Sequence, residues 1–366
     1  MKKQYFLMAM AATMFAACSQ TEVIDEVVDN STPKAIGFTT YTEGQTRAEN
    51  STGLYNWDLE DHHKTFNVWA YKNVSDTKVF NGDVVTHNGT DWGYANTRYW
   101  DKAATSYEFY AAAPNGFNWV LNTNGNNVQN DDYFTLEDYE LVGDNFNTTD
   151  FTDAPTETFI TLAKDKDLMI ADKKKVETVN FYKDVQLQFI HILSRLNVTI
   201  KKEGIADQVN LVSLEVFNLN NTGDFQEVEI VDNTQGHIRW TTNKTTSINY
   251  RYVGNQEVET TAKYAIQALV LPQEVEFESV KLDGDGITLN SKPFIKIVYT
   301  ITSGTNVETF AAYYNLANAF GSSAEKISFY EGWQNILNIT IKPTAINFDA
   351  TTAEWVFKYN KDLTIK

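Results

Sequence analysis

The chain has 366 residues, of which 42% are hydrophobic and 13% aromatic, and a formal net charge of −18. That apolar content suffices for packed cores and excludes a disordered chain, while the length allows two ordinary domains or one large one. The acidic balance argues against nucleic acid and anionic membrane surfaces as partners, since both need clustered Lys and Arg.

Met1 to Cys18 reads as an export signal. Lys2 and Lys3 give a positive start, and Tyr5 to Ala17 is an apolar run of 13 residues. A helix needs about 20 residues to span a bilayer core, so this run is too short to remain as an anchor. It ends in Phe15-Ala16-Ala17-Cys18-Ser19, which resembles the bacterial lipoprotein lipobox, with the thiol of Cys18 as the lipid carrier. Phe15 stands where Leu is usual, and an ordinary cleaved signal is the alternative. Cys18 is the only cysteine, so the mature chain is expected to hold no internal disulfide. Residues 19–34, with Glu22, Asp25, Glu26 and Asp29, read as an acidic, solvated tether.

Ala35 to Asn50 follows as AIGFTTYTEGQTRAEN. Ile36 and Phe38 fall on one face and Gly37 and Thr39 on the other, the period of a half-buried strand. A polar loop then leads to a basic bond, Arg47-Ala48. The pattern suits a temporary strand, residues 35–42, cut away at Arg47 so that another chain takes its place. The bland alternative is a surface arginine.

From Asn67 onward the pattern is almost wholly β. Phe66, Val68 and Ala70 alternate with Asn67, Trp69 and Tyr71. Hairpins are expected around Asn81-Gly82-Asp83 and Asn88-Gly89, and a strand at Tyr107–Ala111, closed by Pro114-Asn115-Gly116. Asn118 to Pro155 reads as a long surface loop with one or two short strands, and Asp172–Lys175 as a charged stop and candidate domain boundary. In the second half, Val185–Ile192 and Ser194–Ile200 alternate most cleanly. Further strands are expected at Val212–Phe217, Gln226–Ile230, Tyr264–Leu271, Val275–Leu282, Phe294–Ile301, Thr309–Tyr314 and Asn335–Lys342, with turns at Pro272 and Asp283–Gly286. Many short strands without long amphipathic helices indicate an all-β chain of antiparallel sandwiches.

After Pro343 the chain runs through Thr344–Asp349, an expected kink, and Trp355–Lys366. Trp355, Phe357, Tyr359, Leu363 and Ile365 share one face of this tail, with Lys361 the exception. It is either an edge strand of the last domain or a strand meant for a neighbouring molecule.

The lipobox, the early strand before Thr46-Arg47-Ala48, Asp167–Ala171, Phe189–Leu196, Leu269-Val270-Leu271-Pro272-Gln273 and Gly332-Trp333 with Ile339-Thr340-Ile341 together resemble the fimbrillin family (Mfa-like, FimA-like type V pilins) of Bacteroidales. The resemblance covers nearly the whole chain and rests on the order of its motifs. It implies two transthyretin-like antiparallel β-sandwich domains in tandem, here 35–175 and 176–343, with 344–366 as C-terminal strands. It also implies export as an outer-membrane lipoprotein and trimming by an Arg-specific protease. Removal of Ile36 and Phe38 would open a groove for the next subunit's donor strand, a case of β-strand addition. The expected partners are other pilin subunits, the protease, the outer membrane through lipid, and a host or bacterial surface receptor. Arg47 is the only arginine in the first 97 residues, which suits a single early cut.

Chemistry is sparse. Adjacent His62 and His63 would point to opposite faces of a strand, and Asp283–Gly286 lacks the remaining calcium ligands of an EF-hand, so no metal or cofactor is expected. His191 reads as a core histidine. No G-x-S-x-G, phosphate loop or mature cysteine nucleophile is present, so an enzyme is not expected. The other readings are a non-polymerising lipoprotein that binds glycans through exposed aromatics, with Trp92, Tyr94, Tyr99 and Trp100 as the densest cluster, or a tip adhesin of the same pilus.

Overall fold

The computed structural model describes residues 33–42, 64–73, 77–123, 132–142, 167–227, 237–243, 245–276, 281–283, 286–288, 293–320, 326–343 and 346–354. Along the chain the strands are β1 Phe38–Thr42, β2 Thr65–Lys72, β3 Thr77–His87, β4 Trp92–Tyr94, β5 Ser106–Ala113, β6 Val120–Asn122, β7 Tyr133–Glu140 and β8 Met169–Glu177. They continue as β9 Val185–His191, β10 Ser194–Lys202, β11 Gln208–Leu219, β12 Thr222–Gln226, β13 Trp240–Thr242, β14 Ile248–Glu257, β15 Lys263–Val270 and β16 Gln273–Glu276. The last are β17 Lys281–Asp283, β18 Gly286–Thr288, β19 Phe294–Ser303, β20 Asn306–Asn315, β21 Lys326–Phe329, β22 Trp333–Ile341 and β23 Ile346–Glu354. The chain is all-β, with a 3-10 turn at Thr178–Asn180 and one four-residue α-helix at Leu316–Ala319 among the described residues, neither long enough to cross a membrane.

Strands drawn from residues 38–191 build a seven-stranded sheet in the order β1-β9-β8-β5-β2-β3-β4. One face encloses a core of Phe66, Val68, Phe80, Tyr107, Phe109, Leu187 and Phe189. The opposite face of its central strands is buried too: Trp69, Tyr71, Tyr110 and Ala112 join a second, larger cluster. Alternation in β2 and β5 therefore sorts residues between two cores rather than between core and water, and every residue of β5 is buried. The larger cluster also takes in Phe134 and Leu136 of β7 and Phe225 and Trp240 of β12 and β13, whose strands form a four-stranded sheet with β6. Two further four-stranded sheets, β15-β10-β22-β23 and β14-β11-β19-β20, share Leu196, Val198, Leu214, Ile297, Leu337 and Ile339 with it.

Several local expectations change. Most ladders are antiparallel as expected, but β1 runs parallel to β9 and β10 parallel to β22. Parallel neighbours need long crossovers, which local alternation does not reveal. Asn81-Gly82-Asp83 is no hairpin. β3 runs straight through it, and the register against β2 jumps from Val68↔Asp83 to Trp69↔Asn81, leaving Gly82 as a bulge. Gly82 has φ +77° and lies over the Trp69 ring, where an added Cβ would stand 3.2 Å from the nearest ring atom. Asp172–Lys175 is no stop but mid-strand in β8, its three lysines exposed. The kink expected after Asp349 is absent, since β23 pairs without interruption from Ile346↔Ile341 to Glu354↔Trp333. Alternating Ile248, Tyr250 and Tyr252 form β14, a strand additional to those expected.

Candidate functional site: the seat of the first strand

The first segment bridges the two ends of the seven-stranded sheet. At one end Trp100 donates its amide to the carbonyl of Lys34 at 3.2 Å, and the Ile36 amide donates to the carbonyl of Arg98 at 2.9 Å. Ala35 bridges Tyr99 in antiparallel sense, just beyond β4. At the other end β1 pairs with β9 from Phe38↔Val185 to Thr42↔Phe189. A short strand thus closes a sheet that would otherwise be open between β4 and β9.

Its grip is uneven. Ile36 and Phe38 are 1% and 4% exposed. Phe38 meets Phe66, Phe80, Tyr94 and Phe109 edge-on, with ring centroids 5.9, 5.6, 5.8 and 6.1 Å away. The Tyr94 hydroxyl donates to the carbonyl of Ile36 at 2.7 Å, and burial holds the Tyr94 phenol above its ordinary range. Past Phe38 the fit worsens. The hydroxyls of Thr39 and Thr40 are buried with no hydrogen-bond partner among the described residues, an arrangement that costs about 1–3 kcal/mol per group. Gly37 lies so close to the Asp184 carboxylate that any Cβ there would push it aside.

Of the residues singled out from sequence, Ile36 and Phe38 are thus brought together in one groove. Cys18, Arg47, Ala48, Trp355, Phe357, Tyr359, Leu363 and Ile365 lie outside the described residues, as do His62 and His63. The tail's predecessor, β23, sits at the end of its sheet, with Phe348 against Tyr314 of β20 at 4.4 Å between centroids. Sequence reasoning missed that β9 holds the first strand and that Tyr94 and the Arg98 backbone clasp it. No local signal marks either.

The other arginines are engaged in the fold or set in a strand. Arg98 donates from Nε to the Val79 carbonyl at 3.0 Å and from Nη2 to Asp83 Oδ1 at 3.3 Å. Arg239 Nε pairs with Glu331 Oε2 at 2.7 Å inside the protein; burial raises the Glu331 carboxyl, and Arg239 counters it. Arg195 is fully buried, donates from Nε to Asn197 Oδ1 at 3.3 Å, and is pushed down to about 10 by desolvation, against the pull of Tyr264 and Asp167. Arg251 is exposed within β14, opposite Glu215. His191 Nδ1 lies 2.9 Å from Asp167 Oδ2 with both side chains buried, a paired core histidine.

In the aromatic cluster, Trp92 and Trp100 are buried and Tyr94 lines the groove, leaving Tyr99 exposed. Trp100 stacks on Phe181 at 4.9 Å. These rings pack the core instead of forming an open sugar platform.

A family model described as fimbrillin-like matches residues 42–355. The chain belongs to the fimbrillin-like family. Its fold is similar to the crystal structure of a fimbrial protein from Bacteroides vulgatus, at 16% identity over 88% of this chain and 99% of that one, with a TM-score of 0.52. Weaker likeness extends to the tip fimbrial protein Mfa3 of Porphyromonas gingivalis, at 13% identity over 82% of this chain and 96% of that one, with a TM-score of 0.34. A search of curated proteins finds no significant match. Membership of the fimbrillin-like family supports a fimbrial subunit role at the cell surface, with other pilin subunits as partners.

Proposed function

We propose that this fimbrillin-like chain is a structural subunit of a type V fimbria that polymerises by strand exchange and supports adhesion and biofilm formation. In this reading it is exported as an outer-membrane lipoprotein through Cys18. Arg-specific cleavage at Arg47-Ala48 matures it, and it then accepts the tail strand of another subunit. A tandem transthyretin-like arrangement belongs to the same proposal, although the expected boundary between 35–175 and 176–343 falls inside β8, whose partner β9 lies beyond it.

The observation that carries it is the seat of β1: a short strand with two core anchors, Ile36 and Phe38, parallel to β9 and closing an otherwise open sheet. Each large apolar side chain buried contributes about 1.5–3 kcal/mol. The tail offers five large apolar residues against these two, so the balance favours replacement. The other arginines support a single cut, because Arg98, Arg195 and Arg239 are tied into the fold and Arg251 lies in a paired strand.

N-terminal sequencing of the surface-exposed protein, run beside denaturant-resistant ladders on gels, tests the proposal. A start at Ala48 with ladders abolished by Arg47→Ala supports it. A start at Cys18 with monomers only would sink it.

A further inference from the structure

The first segment is held in two unlike halves. Residues 34–38 are hydrogen-bonded on both sides, to Arg98 and Trp100 on one flank and to Val185 on the other, and they carry both buried anchors. Among the described residues the chain beyond them pairs only with β9, through Thr39↔Gln186 to Thr42↔Phe189, and the buried Thr39 and Thr40 hydroxyls find no partner there. The strand is therefore strong at its N-terminal end and weak at the end facing Arg47.

An empty groove is equally unfavourable. Without Ile36 and Phe38, the inner faces of Phe66, Phe80, Phe109 and Leu187, now 0–1% exposed, would meet water, and the edge of β9 would lose its ladder. Cutting one peptide bond outside the strand removes none of the contacts within it.

We infer that cleavage after Arg47 leaves the first strand seated, and that an incoming strand displaces it progressively from the Thr42 end towards Ile36. This rests on the exchange reading above, and it makes the step a replacement in which the groove is never vacant. An incoming strand that takes the direction of β1 pairs first with Leu187 and Phe189 of β9, through its own C-terminal residues. The segment Lys34–Phe38 leaves last, so its two anchors set how long a cut subunit waits.

The test uses the full chain with residues 43–50 replaced by the site of an unrelated sequence-specific protease, so that cutting does not depend on an arginine protease. Native mass spectrometry after cutting is expected to show the N-terminal fragment still bound to the body. A synthetic peptide of residues 355–366 is then added as the incoming strand, and the fragment is expected to leave only after that addition. Peptides shortened at the C-terminal end should displace it more slowly than peptides shortened at the N-terminal end. Phe38→Ala should speed fragment release on the order of a hundredfold, and Thr40→Val, which keeps the shape of the strand, should slow it.

Loss of the fragment on cutting alone, before any peptide is added, would overturn the inference. So would hydrogen exchange showing Ile36 and Trp100 amides opening before those of β1 beyond Phe38. A retained fragment with a peptide that never binds would instead count against the exchange reading itself.

Discussion

The amide of Val185 donates to the carbonyl of Gly37 at 2.8 Å, and there the first segment changes partners. Before Gly37 the chain is clasped by the loop after β4, and after it by β9. Two sheet ends that the sequence places far apart are joined by a strand with two large apolar side chains, so small changes in this strand should have outsized and readable effects.

Phe38→Ala should destabilise the protein by about 3–5 kcal/mol, the usual range for emptying a buried aromatic site. Denaturant unfolding followed by tryptophan fluorescence measures the loss. Hydrogen exchange on β9 should rise in the same variant, while exchange on β10 and β22 stays as it was.

Thr40→Val should act in the opposite direction. It removes a buried hydroxyl that has no partner among the described residues and keeps the branched shape, for a gain of about 1 kcal/mol. The same denaturant measurement reads it, and cut subunits of this variant should polymerise more slowly.

Gly37→Val should cost about 1–3 kcal/mol through crowding against Asp184. Asp184 is exposed, so Asp184→Ala should recover most of that cost in the double variant while doing little alone. A cost that persists in the double variant would place the strain in the backbone.

The buried pair Arg239 and Glu331 gives a prediction away from the groove. Glu331→Ala leaves a buried guanidinium uncompensated and should cost about 3–5 kcal/mol. Thermal unfolding of the single variant, compared with a double variant that also removes Arg239, separates the charge left behind from the lost packing.

Burial raises the phenols of Tyr110, Tyr139 and Tyr250, with Asp132 adding to the effect at Tyr110. A group whose folded pKa lies above its unfolded one contributes stability that is complete below the unfolded value, about 10 for tyrosine, and is lost as pH rises beyond it. Stability should therefore hold up to about pH 10 and then fall, with phenolate absorbance from these residues appearing together with unfolding. Absorbance that rises while the far-ultraviolet circular dichroism stays native would contradict this.

Much of this architecture was legible in the residues. Alternation at Val185–Ile192, Ser194–Ile200 and Asn335–Lys342 marked strands that the fold contains, and Ile36 and Phe38 read as one apolar face and are buried as one. What stayed hidden is non-local. Nothing near Phe38 announces that its neighbour is Val185, because parallel pairing is set by a crossover and not by period. At Gly82 a turn signal and a bulge signal share the same residues, and only the Trp69 ring beneath decides between them. The strand expected at Tyr107–Ala111 is present as β5, but that both of its faces are buried was not legible from its residues.

The central claim is that the tail of one subunit replaces β1 of another, and disulfide trapping tests it most directly. The mature chain is expected to be free of cysteine, so Gln186→Cys on the exposed side of β9 can be paired with a cysteine at position 356, 358 or 360 of the tail. After cleavage at Arg47 and mild oxidation, at least one pair should give covalent ladders that collapse to monomer on reduction. If all three pairs yield only monomers, cross-linked within one chain or not at all, while the unmodified protein still forms fimbriae, the tail does not fill this groove.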